Sequence, residues 1–429
     1  MLPSTRLVWW SRMRLSIPES PSRTCSQDRR TGLFVRSNSF IGRYVDGEQE
    51  AYGGAALDRP RRHSMLVRVR ARQADRAGGP ADAQNSQENS GALVAGVDRV
   101  HAGRKPSLDP LCRLLSDELE RVNQLIVQRM QSPVALIPQL AGHIVAGGGK
   151  RLRPMLTLGC ARLCGYRGGR HIALAAAVEF IHTATLLHDD VVDASDLRRG
   201  RDTANAVWGN KPPILVGDFL FSRSFELMVA DGSLRILEIL SRASSVIAEG
   251  EVLQLMTAND TRTSEAAYLA VIQAKTAELF AAASRIGAVM AERPQEEEEA
   301  LDRFGRNLGI AFQLVDDMLD FSAHPTELGK SIGNDFRDGK VTLPVLVAFA
   351  RGDKGERAFW RRTIEEQDQR AGDLQQAIHL VERRGALAET LSRARSYATT
   401  AIGALSIFRD GTERRALTDA AAFATERGF

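Results

Sequence analysis

Asp189, Asp190 and Asp193 form the pattern D-D-x-x-D, and Asp316, Asp317 and Asp320 repeat it later in the chain. Each cluster follows an apolar run with helical character. Residues four apart on a helix lie one above the other, so Asp189 with Asp193, and Asp316 with Asp320, project carboxylates from one face. Such pairs at the end of an apolar helix need water, a cation or a proton. Hard oxygen donors suit Mg²⁺, which binds through one or two carboxylates and completes its shell with water and phosphate oxygens. Arg198, Arg199 and Arg201 follow the first cluster directly, and guanidinium forks match phosphate oxygens. His182 stands two turns before Asp189, near the same face. Acid and base at this density point to a metal-bridged polyphosphate site. A single cluster is equally what a solvated helix end looks like. The repeat argues against that, because two facing helices so equipped form a two-sided clamp for an ionising diphosphate.

Other cations gather in polar stretches. Gly147-Gly148-Gly149-Lys150-Arg151-Leu152-Arg153-Pro154 combines backbone that permits close approach with three positive charges. It is not a Walker loop, which needs G-x-x-x-x-G-K-[ST]; taken alone it reads equally as a helix-to-helix turn. Lys275 and Thr276 interrupt an Ala-rich helical run, where a lysine needs a reason. Residues 328–344, LGKSIGNDFRDGKVTLP, read as a polar loop carrying Lys330 and Lys340.

The elements that must position these groups are helices. A 3–4 apolar spacing begins at Leu108 with Leu111, Leu114, Leu115, Leu119, Val122 and Leu125. Further helices are expected over residues 174–187, 214–228, 233–255, 264–290 and 296–321. Pro294 ahead of Glu296, Glu297, Glu298 and Glu299 is a helix start, so that acidic run is a solvated first turn. No β alternation is evident. The pattern predicts an all-α fold, a single large helical bundle.

Composition sets the bounds. The chain has 429 residues, 43% hydrophobic, with a net charge of +4. Much of the basic excess lies in the first quarter, so the remainder is not built for nucleic acid. Cys25, Cys112, Cys160 and Cys164 contain no C-x-x-C pair and fit reduced thiols. No uncharged apolar run reaches transmembrane length. Residues 1–104 are rich in Arg, Gly, Ser and Asn, lack lysine and show no helical period, and are expected to be disordered. Their first twenty residues are Arg-rich with no acid before Glu19, which loosely resembles a mitochondrial transit peptide. A non-functional extension, or a start codon placed too far upstream, is the reading favoured here, with a cytoplasmic location. Residues 105–429 form the expected globular part.

The ordered series GGGKRLRP, FIHTATLLHDDVVDASDLRRGR, KT, FQLVDDMLDF and LGK…GKVTLP resembles the trans-polyprenyl diphosphate synthases. The likeness runs from about Leu108 to the C-terminus. It is strongest to the long-chain bacterial type, whose octaprenyl, nonaprenyl (solanesyl) or decaprenyl products become quinone side chains. The resemblance implies an isoprenoid-synthase bundle around a central apolar cavity, two to three Mg²⁺ ions per site, and a homodimer. It implies that Lys150, Arg153 and His182, with Arg199, bind the diphosphate of isopentenyl diphosphate. Asp189 and Asp193 then ligate Mg²⁺ on the allylic diphosphate with Asp190 in support. Asp316, with Asp317 and Asp320, holds metal from the opposite wall. Arg198, Lys275, Thr276, Gln313, Lys330 and Lys340 are expected to meet the allylic diphosphate or the charge that leaves with it. Where the family usually has two aspartates after Gly333, this chain has Asn334 and Asp335, which touches an outer-shell contact and no motif aspartate.

Three other readings share parts of this pattern. A class I terpene cyclase has D-D-x-x-D but lacks GGGKRLRP and carries a different second metal motif. A non-catalytic partner subunit typically loses an aspartate cluster. A shorter-chain synthase differs only in product, and there the wall matters. The residues four, five and eight before Asp189 are Thr185, Ala184 and Ile181. Short-chain relatives carry an aromatic plug near the first two; both are small here, so the upper shaft is expected to be open, with Ala184 beside the first isoprene units.

A chain lacking residues 1–103 is expected to keep its full activity in an isopentenyl diphosphate incorporation assay. A folded but inactive truncation would make the extension part of the site. Mitochondrial import of a reporter fused to residues 1–36 would overturn the cytoplasmic expectation.

Overall fold

A computed structural model describes residues 105–146, 149–198, 200–322 and 332–426. The 1–104 extension, Arg199 and Lys330 lie outside the described residues. In chain order the helices are α1 (Asp109–Leu114), α2 (Ser116–Arg129), α3 (Leu136–Ala146), α4 (Leu152–Leu163), α5 (Arg170–Val192), α6 (Ala204–Trp208), α7 (Lys211–Asp231), α8 (Leu234–Thr257) and α9 (Glu265–Ile272). A π-helical turn (Gln273–Ala277) joins α9 to α10 (Glu278–Met290). Then follow α11 (Gln295–Leu319), α12 (Asn334–Arg337), α13 (Leu343–Arg351), α14 (Lys354–Trp360), α15 (Asp373–Arg383), α16 (Ala386–Ala404) and α17 (Thr412–Ala424).

The all-α expectation holds, with one addition. Leu197–Arg198 (β1) and Arg201–Asp202 (β2) form an antiparallel pair with Leu197 opposite Asp202. Two-residue strands are too short to leave an alternating pattern in the sequence. The helix starts follow local chemistry. Ser233 and Ser264 accept from the backbone N–H of Ile236 and Ala267, capping α8 and α9. Pro294 opens α11, and Glu296, Glu297 and Glu298 fill its first turn as expected. Glu298 is bound by Arg235 at 2.8 Å and Arg285 at 2.5 Å, so this acidic run serves the surface of the bundle.

Helix α5 lies at the centre, packed on α4, α7, α2 and α10. Leu174, Val178, Phe180, Ile181 and Ala184 are fully buried in one core cluster with Phe280, Ile286, Phe304 and Leu308. By length and composition α5 is apolar enough to cross a bilayer, which the sequence reading did not anticipate, but 72% of that window is buried inside the bundle. Its one acid in mid-run, Glu179, is buried and paired with Arg151.

Helix α11 bridges two cores. Its first half (Leu301, Phe304, Leu308) belongs to the α5 cluster, and its second half (Leu314, Val315, Met318) joins Phe336, Trp360 and Leu380 in another. Close packing around the π-turn depends on glycine. A Cβ at Gly309 of α11 would sit 2.6 Å from the Ala277 Cα, and one at Gly250 of α8 would sit 2.8 Å from the Lys275 backbone nitrogen. Two helices thus reach the turn at backbone distance.

Candidate active site

The two clamping helices end at the same opening. Asp193 is the C-terminal residue capping α5 and Asp320 that of α11, and each donates its N–H to the carbonyl four residues back, Asp189 at 2.8 Å and Asp316 at 3.2 Å. Between them lies a cleft of about 830 Å³, lined by all six cluster aspartates. Lys150, Arg153, His182, Thr185, Arg198, Lys275, Thr276, Gln313 and Lys340 line it too. Residues scattered over nearly two hundred positions therefore meet at one site.

The aspartates divide by environment. In each D-D-x-x-D the second residue is buried, Asp190 and Asp317 alike. Arg198 grips Asp190 at 2.6 Å, with its Nε donating at 2.8 Å, which ties the β1–β2 hairpin to α5. Burial raises the Asp190 pKa, and Arg198 opposes that rise. Thr203 completes the hairpin, donating to the Ser195 carbonyl at 2.6 Å while it caps α6. Asp317 accepts from the Tyr268 hydroxyl at 2.5 Å and the Gln313 amide at 2.7 Å, and Thr276 donates to Gln313 at 2.9 Å. Burial pushes Asp317 up to about 7 against those two hydrogen bonds. Thr276 and Gln313, expected at a diphosphate, are here links in a chain that orients the second cluster. Asp320 accepts from the backbone N–H of Asn334 at 3.2 Å and Asp335 at 2.9 Å. Those bonds come from the main chain, so Asn334 in place of an aspartate leaves them intact.

Asp189, Asp193 and Asp316 remain to face the cleft. The Lys340 ammonium donates to Asp193 at 2.8 Å and to Asp338 at 3.0 Å, and neighbouring carboxylates raise its pKa against the pull of burial. The Lys275 ammonium stands 3.6 Å from Asp189 and donates to Glu251 at 2.6 Å. Burial and the adjacent Asp189 push Glu251 up to about 7. One cation thus rests against Asp193 and another stands just short of contact with Asp189, and the donors are hard carboxylate oxygens, which suit Mg²⁺. Among the described residues no three acidic or imidazole groups close a shell by themselves. A metal held by these carboxylates would take its other ligands from diphosphate and water.

Basic residues line the same cleft. Arg153 donates to His182 Nε2 at 3.0 Å and lies 4.5 Å over the Phe280 ring. A guanidinium only donates, so the His182 proton resides on Nδ1. Burial lowers Arg153 to about 10, which leaves it charged at neutral pH. Lys150 sits 5.3 Å over the ring of Phe423 from α17. Arg151 caps α4 in the left-handed conformation at φ 49°.

Of the three wall residues, Thr185 lines the cleft and donates to the His182 carbonyl at 2.8 Å. Ile181 and Ala184 are fully buried in the core instead. Glu251 and Tyr268 were not singled out from the sequence. Glu251 had a signal in being an acid inside the mostly apolar run of α8.

An all-α bundle whose paired acidic helix ends share one cleft with basic residues fits the class of prenyl-diphosphate enzymes. The match to known proteins narrows the class. Residues 134–381 fit the family model described as polyprenyl synthetase. The octaprenyl diphosphate synthase of Escherichia coli (strain K12) is 46% identical over 321 residues, covering 75% of this chain and 99% of that protein. A Rhodobacter capsulatus all-trans-nonaprenyl-diphosphate synthase (geranyl-diphosphate specific) is 41% identical over 314 residues, 73% of this chain and 96% of that one. The crystal structure of a polyprenyl synthase from Caulobacter crescentus CB15, complexed with calcium and isoprenyl diphosphate, superposes with a TM-score of 0.74 at 54% identity, covering 76% and 99% of the two chains. The chain belongs to the polyprenyl synthetase family, among the trans-polyprenyl diphosphate synthases of the long-chain type.

The raised carboxyls carry a sign. Glu251 and Asp317 hold protons more tightly folded, near 7, than unfolded, at about 4. Their contribution to stability is therefore complete below about 4 and is lost as pH rises through about 7. In metal-free protein the melting temperature of Glu251→Gln should gain on wild type as pH rises from about 5 to about 8. A constant difference across a circular-dichroism pH series would contradict the assignment.

Proposed function

We propose that this chain elongates an allylic diphosphate such as farnesyl diphosphate with successive isopentenyl units, giving an octaprenyl to decaprenyl diphosphate for quinone side chains. The observation that carries the reading is the convergence of Asp189, Asp193 and Asp316 on one cleft that Lys150, Arg153 and His182 also line. Two anionic headgroups need separate cationic seats. The basic group suits isopentenyl diphosphate, which keeps its diphosphate. The acidic clusters, bridged by metal, suit the allylic substrate, which loses its own. The Caulobacter relative holds calcium with isoprenyl diphosphate, and two to three Mg²⁺ ions bound here would stabilise the charge on the departing diphosphate.

In each cycle the allylic C1–O bond breaks and its electron pair leaves with diphosphate. The isopentenyl double bond attacks C1, a carbon–carbon bond forms, and a proton is lost from the adjacent carbon to the released diphosphate. No side-chain nucleophile takes part. Lys275 and Lys340, beside Asp189 and Asp193, are suited to receive diphosphate oxygens as charge builds. Arg198, secured by Asp190, keeps the hairpin over the cleft. Apolar walls exclude the water that would quench the cation.

Helices α7 and α8 carry exposed apolar side chains at Leu215 (66%), Val229 (64%), Leu255 (63%) and Met256 (76%). Apolar exposure on adjacent helices is what a partner covers, and we read the enzyme as a homodimer through this face, working in the cytoplasm. Sedimentation velocity tests the dimer directly; a monomer at micromolar concentration contradicts it.

Asp189→Ala and Asp316→Ala should each lower turnover by at least about two orders of magnitude, the scale of lost transition-state charge stabilisation. Near-normal turnover at saturating Mg²⁺ would remove the metal assignment. For product length, Thr185→Phe should shorten the product by several units while the melting temperature changes little. Ala184→Phe should instead overpack the core by about 1–3 kcal/mol. One chromatogram of dephosphorylated products and one melting curve per variant separate the two, and unchanged length in Thr185→Phe would mean that the tail does not run along this face of α5.

A further inference from the structure

Two lysines stand against the first aspartate cluster, and they stand differently. Lys340 is in hydrogen-bond contact with Asp193 at 2.8 Å. Lys275 is held off from Asp189 at 3.6 Å, because its ammonium is donated at 2.6 Å to Glu251. The local fold arranges this. Lys275 belongs to the π-turn, an irregularity that concentrates at functional sites. Gly250 lets α8 lie directly against that turn, with room for no Cβ, and Glu251 is the next residue. The backbone contact fixes where the Glu251 carboxylate begins. The charge-assisted hydrogen bond fixes where the Lys275 ammonium ends.

We infer that Glu251 is a positioning residue: it holds the Lys275 ammonium off Asp189 and so keeps that carboxylate available to a divalent cation. The physical argument is competition. Two carboxylates compete for one ammonium, and the Coulomb attraction grows as the separation shrinks. Glu251 wins by being in contact. Without it Asp189 is the next carboxylate in reach, and the ammonium closes the remaining gap. A cation entering at Asp189 must then break a contact ion pair in place of the looser one at 3.6 Å. Gln at position 251 would keep an oxygen for the Lys275 N–H and lose the charge, so it should act as a partial substitute.

The inference rests on Asp189 being a metal ligand. Its test is a binding measurement on the full chain. Farnesyl thiodiphosphate, whose C–S bond resists ionisation, is titrated calorimetrically into wild type, Glu251→Ala, Glu251→Gln and Asp189→Ala over a series of MgCl₂ concentrations. Isopentenyl diphosphate is titrated in parallel. For Glu251→Ala the MgCl₂ concentration at half-maximal analogue binding should rise about tenfold, the scale of one hydrogen bond to a charged group. Glu251→Gln should rise by less, and isopentenyl diphosphate affinity should stay within about twofold in both, as its seat is built from Lys150, Arg153 and His182, whose contacts include Phe423, Phe280 and each other, whereas Glu251 pairs with Lys275. A wild-type midpoint in Glu251→Ala, or an equal loss of both ligands, overturns the positioning role. If Glu251→Ala does not fold, a wild-type midpoint in Glu251→Gln overturns it as well. Asp189→Ala separates the two ideas. If it abolishes the Mg²⁺ dependence while the Glu251 variants keep the wild-type midpoint, only this inference fails. If its Mg²⁺ dependence is normal, the metal reading fails and this inference with it.

Discussion

The six aspartates of the two clusters, crowded around one cleft, repel one another, and much of this structure consists of the means by which that repulsion is contained. Burial alone would drive protons onto the acids. The bundle instead assigns each aspartate a partner or an outlook. Asp190 is bound by Arg198, Asp317 by Tyr268 and Gln313, and Asp320 by two backbone N–H groups. Of those left toward the cleft, Asp189 is neighboured by Lys275 and Asp193 is bound by Lys340. Charge that could not persist on a bare helix end is thereby held at the cleft.

The containment makes demands on distant packing. Tyr268 must arrive from α9, Gln313 from α11 and Thr276 from the π-turn between α9 and α10. Their hydrogen bonds close only if those backbones approach to contact, which Gly309 and Gly250 permit. Helix α11 is held by two separate apolar cores along its length. Its acidic end is therefore anchored from both sides, and a carboxylate displaced by an ångström would lose its partner.

Much of this was legible in the sequence. The two D-D-x-x-D motifs on apolar helices pointed to residues that share one cleft, and the 3–4 spacing to the helical bundle. Helix α11 begins where Pro294 and the glutamates said it would. What escaped was pairing across elements. Nothing local in Asp190 or Asp317 distinguishes them from their neighbours; only the fold buries them. The hairpin was too short for a period. The π-turn looks like continuous helix at residue level, because one extra residue per turn shifts phase without changing composition. The choice between Thr185 and Ala184 was within reach. At roughly 100° per residue, four residues back from Asp189 is about 40° around the helix, and five back is about 140°. Thr185 and His182 share the aspartate's face, and Ala184 faces away into the core.

Lys340, resting on Asp193, would make this part of the cleft an ion exchanger. An incoming divalent ion would displace the ammonium group, which would then be free to take up a phosphate oxygen. Metal and diphosphate would then favour each other's entry, since either alone leaves half of the exchange unmade. By linkage the coupling is reciprocal. The bare protein should discriminate poorly against monovalent salt, and selectivity for a divalent ion should emerge only as the allylic headgroup arrives with it. The coupling between the two ligands would thus be carried by one side-chain contact, Lys340 on Asp193.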